Sequence, residues 1–154
     1  MRKVALVTGG AVRVGRAISL GLAEAGFDMV VNYHASAGPA REVARKIEGL
    51  GRQVLTVQAD VSDPEAVDAM AERIRERFGR LDLLVNNASI FRAQPFLEVD
   101  LESWDEVIGV NLKGPFLAVR ATAGLLRETH GSVINIVDLS AFTPFMDCLL
   151  YTSD

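Results

Sequence analysis

A glycine-rich turn near the start of the chain has the composition and spacing of a phosphate-binding loop. Residues 8–15 read TGGAVRVG, directly after a short apolar run and directly before a helical pattern. Glycine lets the backbone approach a pyrophosphate closely, and the start of a helix offers free N–H groups and a positive dipole end. A glycine turn alone often only reverses the chain, but the order strand, turn and helix predicts a dinucleotide-binding site.

The end of the second predicted strand indicates which dinucleotide would bind. A site for NAD places an acidic residue there to bind the ribose 2′-hydroxyl. Residues 32–36 read NYHAS and contain no carboxylate. A 2′-phosphate is repelled by acids and bound by hydroxyl and positively charged groups, so His34 and Ser36 are candidate ligands. The segment therefore favours NADPH over NADH, the structural alternatives being a solvated turn histidine and a serine that caps the next helix.

The elements that must position these residues alternate between strands and helices. Short apolar runs predict five strands, and their nearly continuous apolar character is typical of parallel strands covered on both faces. Strand and helix alternation with short connections predicts a doubly wound parallel α/β sheet. Such a fold usually has six or more strands, so the predicted sheet is incomplete after the fifth. The five runs are residues 3–8, 28–33, 53–59, 81–86 and 132–137.

Three of the predicted helices have specific features. Asp63, Pro64 and Gly79 are expected to be the N-cap, first residue and end of the third helix. In the long helical region after the fourth strand, Gly109, Gly114 and Pro115 are expected to bend or interrupt the helix. The spacing of apolar residues predicts buried faces formed by Val14, Ala17, Ile18, Gly21, Leu22 and Ala25 in the first helix, and by Trp104, Val107, Ile108, Leu112, Phe116 and Val119 in the long one.

Composition narrows the class of protein. The chain has 154 residues, of which 49% are hydrophobic and 23% charged, as expected of one folded domain. The net charge of −4 offers no basic surplus for nucleic acid or an anionic membrane. His34, His130 and the sole cysteine, Cys148, share no metal-ligand spacing, and no apolar run approaches the ~20 residues of a membrane span. We expect a cytoplasmic protein that binds neither nucleic acid nor a membrane.

Four motifs occur in order along residues 2–145: Thr8-Gly9-x-x-x-Arg13-x-Gly15, Asp60-Val61, Asn86-Asn87-Ala88-Ser89 and Asn111-Leu112. Together they resemble the short-chain dehydrogenase/reductase family. The resemblance implies an oxidoreductase with a Rossmann-like NAD(P)-binding domain over residues 1–147. The cofactor-binding residues that it implies are Gly9, Arg13, Val14, Gly15, Tyr33, His34, Ser36, Asp60, Val61, Asn87 and Ala88.

Departures from the usual family pattern suggest one branch of it. Arg13 and Ser89 stand where most members have glycine, Phe91 follows two residues later, and Asp138 stands at the position of the usual catalytic serine. These residues resemble those of pteridine reductases, which implies hydride transfer to a C=N bond of a dihydropterin or dihydrofolate, with Arg13, Ser89 and Phe91 against the substrate. The alternatives are a carbonyl reductase of the 3-oxoacyl or sugar type, and a non-catalytic dinucleotide-binding fragment.

The resemblance also implies a set of catalytic groups. In the family a tyrosine donates the proton, a lysine four residues later lowers the pKa of that tyrosine, and an asparagine continues the proton relay. Asn111 is the relay candidate, and Asp138 would orient the substrate. Tyr151 lies thirteen residues after Asp138, at the family spacing, but the matching lysine would be residue 155 and the chain ends at Asp154. The chain as written is therefore predicted to be inactive.

The last seven residues are expected to be foreign to the native protein. Residues 148–154 read CLLYTSD, which matches an in-frame translation of a transposon-end adapter used in DNA library preparation. Tyr151 would then stand at the catalytic position by coincidence. Family members commonly assemble through the helix that carries Asn111 and the helix after the catalytic tyrosine. The resemblance implies a dimeric or tetrameric parent protein, with this assembly lost in the fragment.

Overall fold

The computed structural model describes residues 2–92 and 95–138, apart from the Phe96 side chain. The strands in this part of the chain are β1 (Val4–Val7), β2 (Asp28–Tyr33), β3 (Val54–Gln58), β4 (Leu83–Asn86) and β5 (Ser132–Asn135). They form one sheet in the order β3-β2-β1-β4-β5, and every neighbouring pair is parallel. The predicted parallel sheet is confirmed, with several strand ends one or two residues shorter than the apolar runs.

Helices connect the strands and cover both faces of the sheet. Alternate residues of a strand point to opposite faces, so Ala5 and Val7 pack into one buried cluster and Val4 and Leu6 into the other. The first cluster includes residues of α1 and α2, and the second includes residues of α3 and α5, which makes the sheet doubly wound. The described helices are α1 (Arg13–Glu24), α2 (Ala37–Gly49), α3 (Pro64–Phe78), α4 (Leu101–Ile108) and α5 (Gly114–Thr129), with a 3₁₀ turn at Phe96–Glu98 and a π-helical turn at Gly109–Lys113.

The strand order creates a crevice beside β1. The chain proceeds from β1 to β2 and β3 on one side, and then returns to place β4 on the other side of β1. In parallel α/β sheets, ligands bind at this point of reversal, outside the carboxyl ends of the strands. The glycine-rich turn after β1 and the segment after β4 both lie there, so the fold brings the two motifs to one edge.

The predicted boundaries of α3 are confirmed. The Asp63 carboxylate accepts a hydrogen bond from the Glu65 N–H (3.0 Å), and Pro64 is the first helical residue. Gly79 ends the helix with a φ of +66°, a left-handed conformation that favours glycine. These signals are local to the chain, which is why the sequence is sufficient to identify them.

The predicted buried face of α1 is wrong for most of its residues. Gly15, Ser19 and Ala23 are the buried residues, whereas Val14 is 59% exposed. Ile18 is partly buried, as are Leu22 and its neighbour Leu20. Small residues at every fourth position let α1 approach the sheet closely, and the apolar residues beside them are turned partly toward solvent.

The long helical region is continuous from α4 to α5, but its hydrogen-bond register changes at the predicted glycines. A π-helical turn spans Gly109–Lys113. The predicted apolar face is wrong at Leu112 and Phe116, which are 66% and 64% exposed, and at Trp104, which is 41% exposed. The buried face of α5 includes small residues that pack close to their neighbours. Its members are Gly114, Leu117, Ala118, Thr122, Leu125 and Leu126.

Asp82 ties the start of β1 to the residues before β4. Its carboxylate accepts hydrogen bonds from the Val4 N–H (2.8 Å) and from Arg80 Nε (2.9 Å) and Nη2 (2.6 Å). Burial raises the pKa of Asp82, but the bonds from Arg80 and Val4 outweigh it, so this pKa lies below the usual value of 3.8. The stabilisation is therefore present above the pKa of the unfolded chain and is lost as the pH falls through the folded value.

We expect Asp82→Asn to lower the free energy of unfolding at pH 7 by about 1–3 kcal/mol, because charge-assisted bonds are lost inside the protein. The difference from the unmodified protein should shrink as the pH falls below about 4, because the carboxylate is protonated first in the unfolded chain and then, at lower pH, in the folded protein. Urea unfolding at pH 7 and at a pH below about 4 measures this difference. Asp68→Asn is the control, since the Asp68–Arg120 pair (3.3 Å) is exposed and worth less than about 1 kcal/mol. Equal losses for Asp82→Asn at both pH values would contradict the account.

Candidate functional site

A cleft of about 380 Å³ opens at the carboxyl edge of the sheet, between the turn after β1 and the segment after β4. Its lining includes most of the residues that the sequence analysis predicted as site residues. Tyr33, Ser36, Phe91, Asn111 and Asp138 are not among the described lining residues, and Tyr151 lies outside the described part of the chain. The nominated residues in the lining are Gly9, Arg13, Val14, Gly15, His34, Asp60, Val61, Asn87, Ala88 and Ser89.

Asn32, which the sequence reasoning did not nominate, holds the glycine-rich turn in place. Its side-chain oxygen accepts from the Gly9 N–H (3.2 Å), and its main-chain oxygen accepts from the Gly10 N–H (2.9 Å). Its Nδ2 donates to the Ala59 carbonyl (3.0 Å) beyond β3. Asn32 is 1% exposed. This buried residue therefore links the carboxyl ends of three strands, β1, β2 and β3. The available signal was an amide directly after the apolar residues 29–31 of β2.

Thr8 and Asn87 join the glycine-rich turn to the segment after β4. The Thr8 hydroxyl oxygen accepts from the N–H groups of Asn87 (2.9 Å) and Ala88 (3.0 Å). In return, Asn87 Nδ2 donates to the carbonyl oxygens of Thr8 (2.9 Å) and Gly9 (3.3 Å). The two nominated motifs therefore form one hydrogen-bonded unit at the floor of the cleft.

The start of α1 retains the features of an anion-binding site. Val12 occupies the N-cap position and makes no side-chain cap hydrogen bond, and the first helical turn holds no acidic residue. A Cβ added to Gly15 would collide with the Gly9 carbonyl oxygen and would lie 2.5 Å from Asn87 Nδ2. Only glycine fits this position without displacing its neighbours. The turn and helix start thus fit the pyrophosphate of a dinucleotide.

Asp60 occupies the side of the cleft next to His34. Its carboxylate accepts from the backbone N–H and the hydroxyl of Ser62, both at 2.8 Å. Burial raises the pKa of Asp60, but the Ser62 bonds and the electrostatic effect of His34 and Lys113 outweigh it, so the pKa lies below its usual value. Asp60 is therefore ionised near neutral pH and is able to accept a hydrogen bond from an adenosine. Tyr33 ends β2, and Ser36 precedes α2 without capping it through its side chain.

Asn111 lies in the π-helical turn, and its side chain forms hydrogen bonds with the segment after β4. Its Oδ1 accepts from the Ile90 N–H (2.9 Å), and its Nδ2 donates to the Ile90 carbonyl (2.9 Å). The Phe91 side chain, next along the chain, is 72% exposed. Arg92 is ion-paired with Glu106 of α4. Asp138 follows β5 by three residues and is exposed.

Within residues 2–92 and 95–138, no group of three or more His, Cys, Asp or Glu residues is arranged to hold a metal ion. None of the described helices is both long and apolar enough to pass through a membrane.

The family model described as short chain dehydrogenase matches residues 3–153. The 3-oxoacyl-[acyl-carrier-protein] reductase FabG of Staphylococcus aureus is 42% identical over 137 residues, which cover 88% of this chain and 56% of the relative. An L-rhamnose 1-dehydrogenase (NAD(P)(+)) of a Sphingomonas species is 36% identical over 141 residues, which cover 90% of this chain and 56% of the relative. The chain thus spans little more than half of these relatives.

Solved structures show the same similarity. A short chain dehydrogenase from Burkholderia cenocepacia in complex with NADP has a TM-score of 0.92 and 38% identity, and the match covers 96% of this chain and 60% of that one. Acetoin dehydrogenase from Enterobacter cloacae has a TM-score of 0.89 and 35% identity, over 96% of this chain and 62% of that one. The names of the curated relatives favour the 3-oxoacyl or sugar alternative over the pterin interpretation.

Proposed function

Because this chain belongs to the short-chain dehydrogenase/reductase family, we propose that the protein is an NADPH-dependent oxidoreductase that reduces a carbonyl group of a small molecule. The observation that carries the proposal is the cleft at the point of strand reversal, where Gly9 and Gly15 allow a close approach to the backbone. The 3-oxoacyl and sugar relatives support a carbonyl substrate. Since the chain spans 56% of these relatives, the activity is proposed for the full-length protein.

We propose roles for residues of the cleft and for three positions outside its described lining. NADPH, when bound, supplies the hydride. The uncapped start of α1 and the turn at Gly9 and Gly15 bind the pyrophosphate, while the Asp60 carboxylate binds the adenosine. Asn111 holds the segment after β4 beside the reacting end of NADPH. It also continues the proton relay that the family resemblance implies. The substrate is oriented by Asp138, and the proton comes from a tyrosine at the position of Tyr151.

The preference for NADPH rests on the residues after β2. The segment from Tyr33 to Ser36 contains no carboxylate, and His34 lines the cleft. The Burkholderia relative was solved with NADP, which supports the same assignment. We propose that His34 and Ser36 contact the 2′-phosphate of NADPH, and that Tyr33 packs beside the adenosine.

A single carboxylate at the exposed Ala35 should remove this preference. We expect Ala35→Asp to weaken NADPH binding by about tenfold or more, because the new charge repels the 2′-phosphate, and to leave NADH binding little changed. Dissociation constants for both cofactors measure the effect. Ala35→Asn is the matched control of the same shape without charge. A parallel weakening of NADPH and NADH, or the same result with asparagine, would contradict the proposed phosphate site.

A pterin or dihydrofolate is the second candidate substrate, and it is favoured by the residues that depart from the usual family pattern. Arg13 and Ser89 line the cleft, and the exposed Phe91 ring follows within the same segment. An exposed aromatic ring can stack on a flat heterocycle. Turnover of an acetoacetyl thioester and of dihydrobiopterin by the full-length protein with NADPH discriminates the candidates. Reduction of the thioester alone supports the carbonyl proposal, and reduction of the pterin alone overturns it.

We also propose that the full-length protein assembles as a dimer or tetramer through the helical region that carries Asn111. Leu112 and Phe116 are 66% and 64% exposed there, and large apolar side chains grouped on a surface often mark an interface. Light scattering tests this, since a monomeric full-length protein would contradict it. The cytoplasmic location and the loss of assembly in the fragment stay predictions.

A further inference from the structure

The π-helical turn Gly109–Lys113 lies between the two segments that bound the cleft. On one side, Asn111 makes two hydrogen bonds to the main chain of Ile90. On the other side, Gly109, which begins the turn, and Gly114, which follows it, lie against the loop after β3. We call this loop the adenosine loop (residues 60–62). A Cβ added to Gly109 would lie 3.3 Å from the Ser62 Cβ, and one added to Gly114 would lie 3.0 Å from Val61 Cγ2.

The hydrogen-bond register of this turn is what directs both glycines to the same loop. The Gly114 N–H donates to the Gly109 carbonyl, which is a bond between residues five positions apart. In a π-helix such residues are about one turn apart and therefore share a face. In an α-helix of 3.6 residues per turn, five positions are about 1.4 turns, so the two glycines would face different directions.

We propose that Gly109 and Gly114 are positioning residues that seat the adenosine loop, so that the π-helical turn sets the separation between this loop and the segment held by Asn111. This inference rests on the proposed function, because it assigns the loop to the adenosine of NADPH. Val61 is 6% exposed beneath Gly114, and both Val61 and Val110 line the cleft. The charge of Lys113 also acts on Asp60 from the same turn.

Gly114 offers the clearest test because its backbone is ordinary. Its φ of −56° and ψ of −53° are helical, so alanine adopts this conformation without strain, and alanine is the better helix former. Any loss of function on substitution must then come from the added Cβ. That atom would lie 3.0 Å from Val61 Cγ2 and 3.3 Å from Val61 Cβ, which requires the adenosine loop to move by a few tenths of an ångström.

We expect Gly114→Ala to weaken the binding of adenosine 2′,5′-bisphosphate, a probe of the adenosine end alone, by about tenfold. Calorimetric titration well below the melting temperature measures the affinity. Gly21→Ala is the matched control, since a Cβ added there meets nothing within 4 Å, and its affinity should be unchanged. In a Val61→Ala background, where the Cγ2 contact is absent, Gly114→Ala should weaken binding by less than about threefold.

The outcomes separate this inference from the function on which it rests. If the unmodified protein does not bind the bisphosphate, the cofactor assignment and this inference both fail. If the unmodified protein binds it and Gly114→Ala binds it equally well, only the inference fails, even where the melting temperature falls. A tenfold loss that persists in the Val61→Ala background also overturns it, because the loss would then not pass through the contact with Val61.

Discussion

Replacing Gly15 by alanine should lower the affinity for NADPH by about a hundredfold. The added Cβ would collide with the Gly9 carbonyl oxygen and would lie 2.5 Å from Asn87 Nδ2 and 2.9 Å from the Gly9 carbonyl carbon. These atoms belong to the backbone of the turn and to the side chain that joins it to the segment after β4. Relief of the collision therefore displaces the surface that binds the pyrophosphate. Overpacking of this kind costs about 1–3 kcal/mol, and 1.4 kcal/mol is a factor of ten in affinity.

Gly21→Ala is the control for Gly15→Ala, because it makes the same substitution in the same helix. A Cβ at Gly21 meets nothing within 4 Å. We expect unchanged NADPH affinity and a gain of about 1 kcal/mol in the free energy of unfolding, the difference in helix propensity between glycine and alanine. Titration and urea unfolding measure the two quantities. Unchanged affinity in Gly15→Ala, or an equal loss in Gly21→Ala, would contradict a phosphate-binding role for the turn.

Arg13→Gly should move stability and affinity in opposite directions. Arg13 has a φ of +47°, a left-handed conformation that costs a non-glycine residue about 1 kcal/mol. Glycine removes this strain, so the free energy of unfolding should rise by about that amount. The guanidinium of this cleft-lining residue is lost at the same time, and charge-assisted bonds to an anion are worth about 1.5–3 kcal/mol. NADPH affinity should therefore fall by at least about tenfold.

Arg13→Ala separates the two effects, because alanine removes the guanidinium and keeps a side chain at positive φ. Both variants should bind NADPH equally weakly, while Arg13→Gly should be the more stable of the two by about 1 kcal/mol. Calorimetry and urea unfolding again measure the quantities. Equal stability of the two variants would show that the conformation is not strained, and full affinity in either would remove Arg13 from the cofactor site.

Some parts of the fold are determined by neighbouring residues, and the sequence was sufficient to predict these. Asp63 and Pro64 determine where α3 begins, and the left-handed Gly79 determines where it ends. The short apolar runs predicted five parallel strands because strands covered on both faces need apolar residues at nearly every position. The glycine-rich turn predicted the cleft because its conformation and its position before a helix are encoded within eight residues.

The sequence could not show which face of a helix packs closely. Apolar periodicity placed Val14 and Leu112 in buried faces, but both are exposed, because small residues such as Ser19 and Ala118 make the close contacts. Hydrogen bonds between residues far apart in the sequence also could not be predicted. Asn32 reaches Gly9 across 23 positions, and Asn111 reaches Ile90 across 21. Such pairs are determined by the sheet order, which no single segment encodes.

The proposed function requires the cleft beside β1 to bind NADPH. The decisive experiment is calorimetric titration of purified protein that unfolds cooperatively on heating, with NADPH, NADH and adenosine 2′,5′-bisphosphate as ligands. We expect one NADPH per chain, displaced by the bisphosphate, with NADH bound at least about tenfold more weakly because it lacks the 2′-phosphate. A folded protein that binds none of the three ligands, or that binds NADH as tightly as NADPH, would contradict the account.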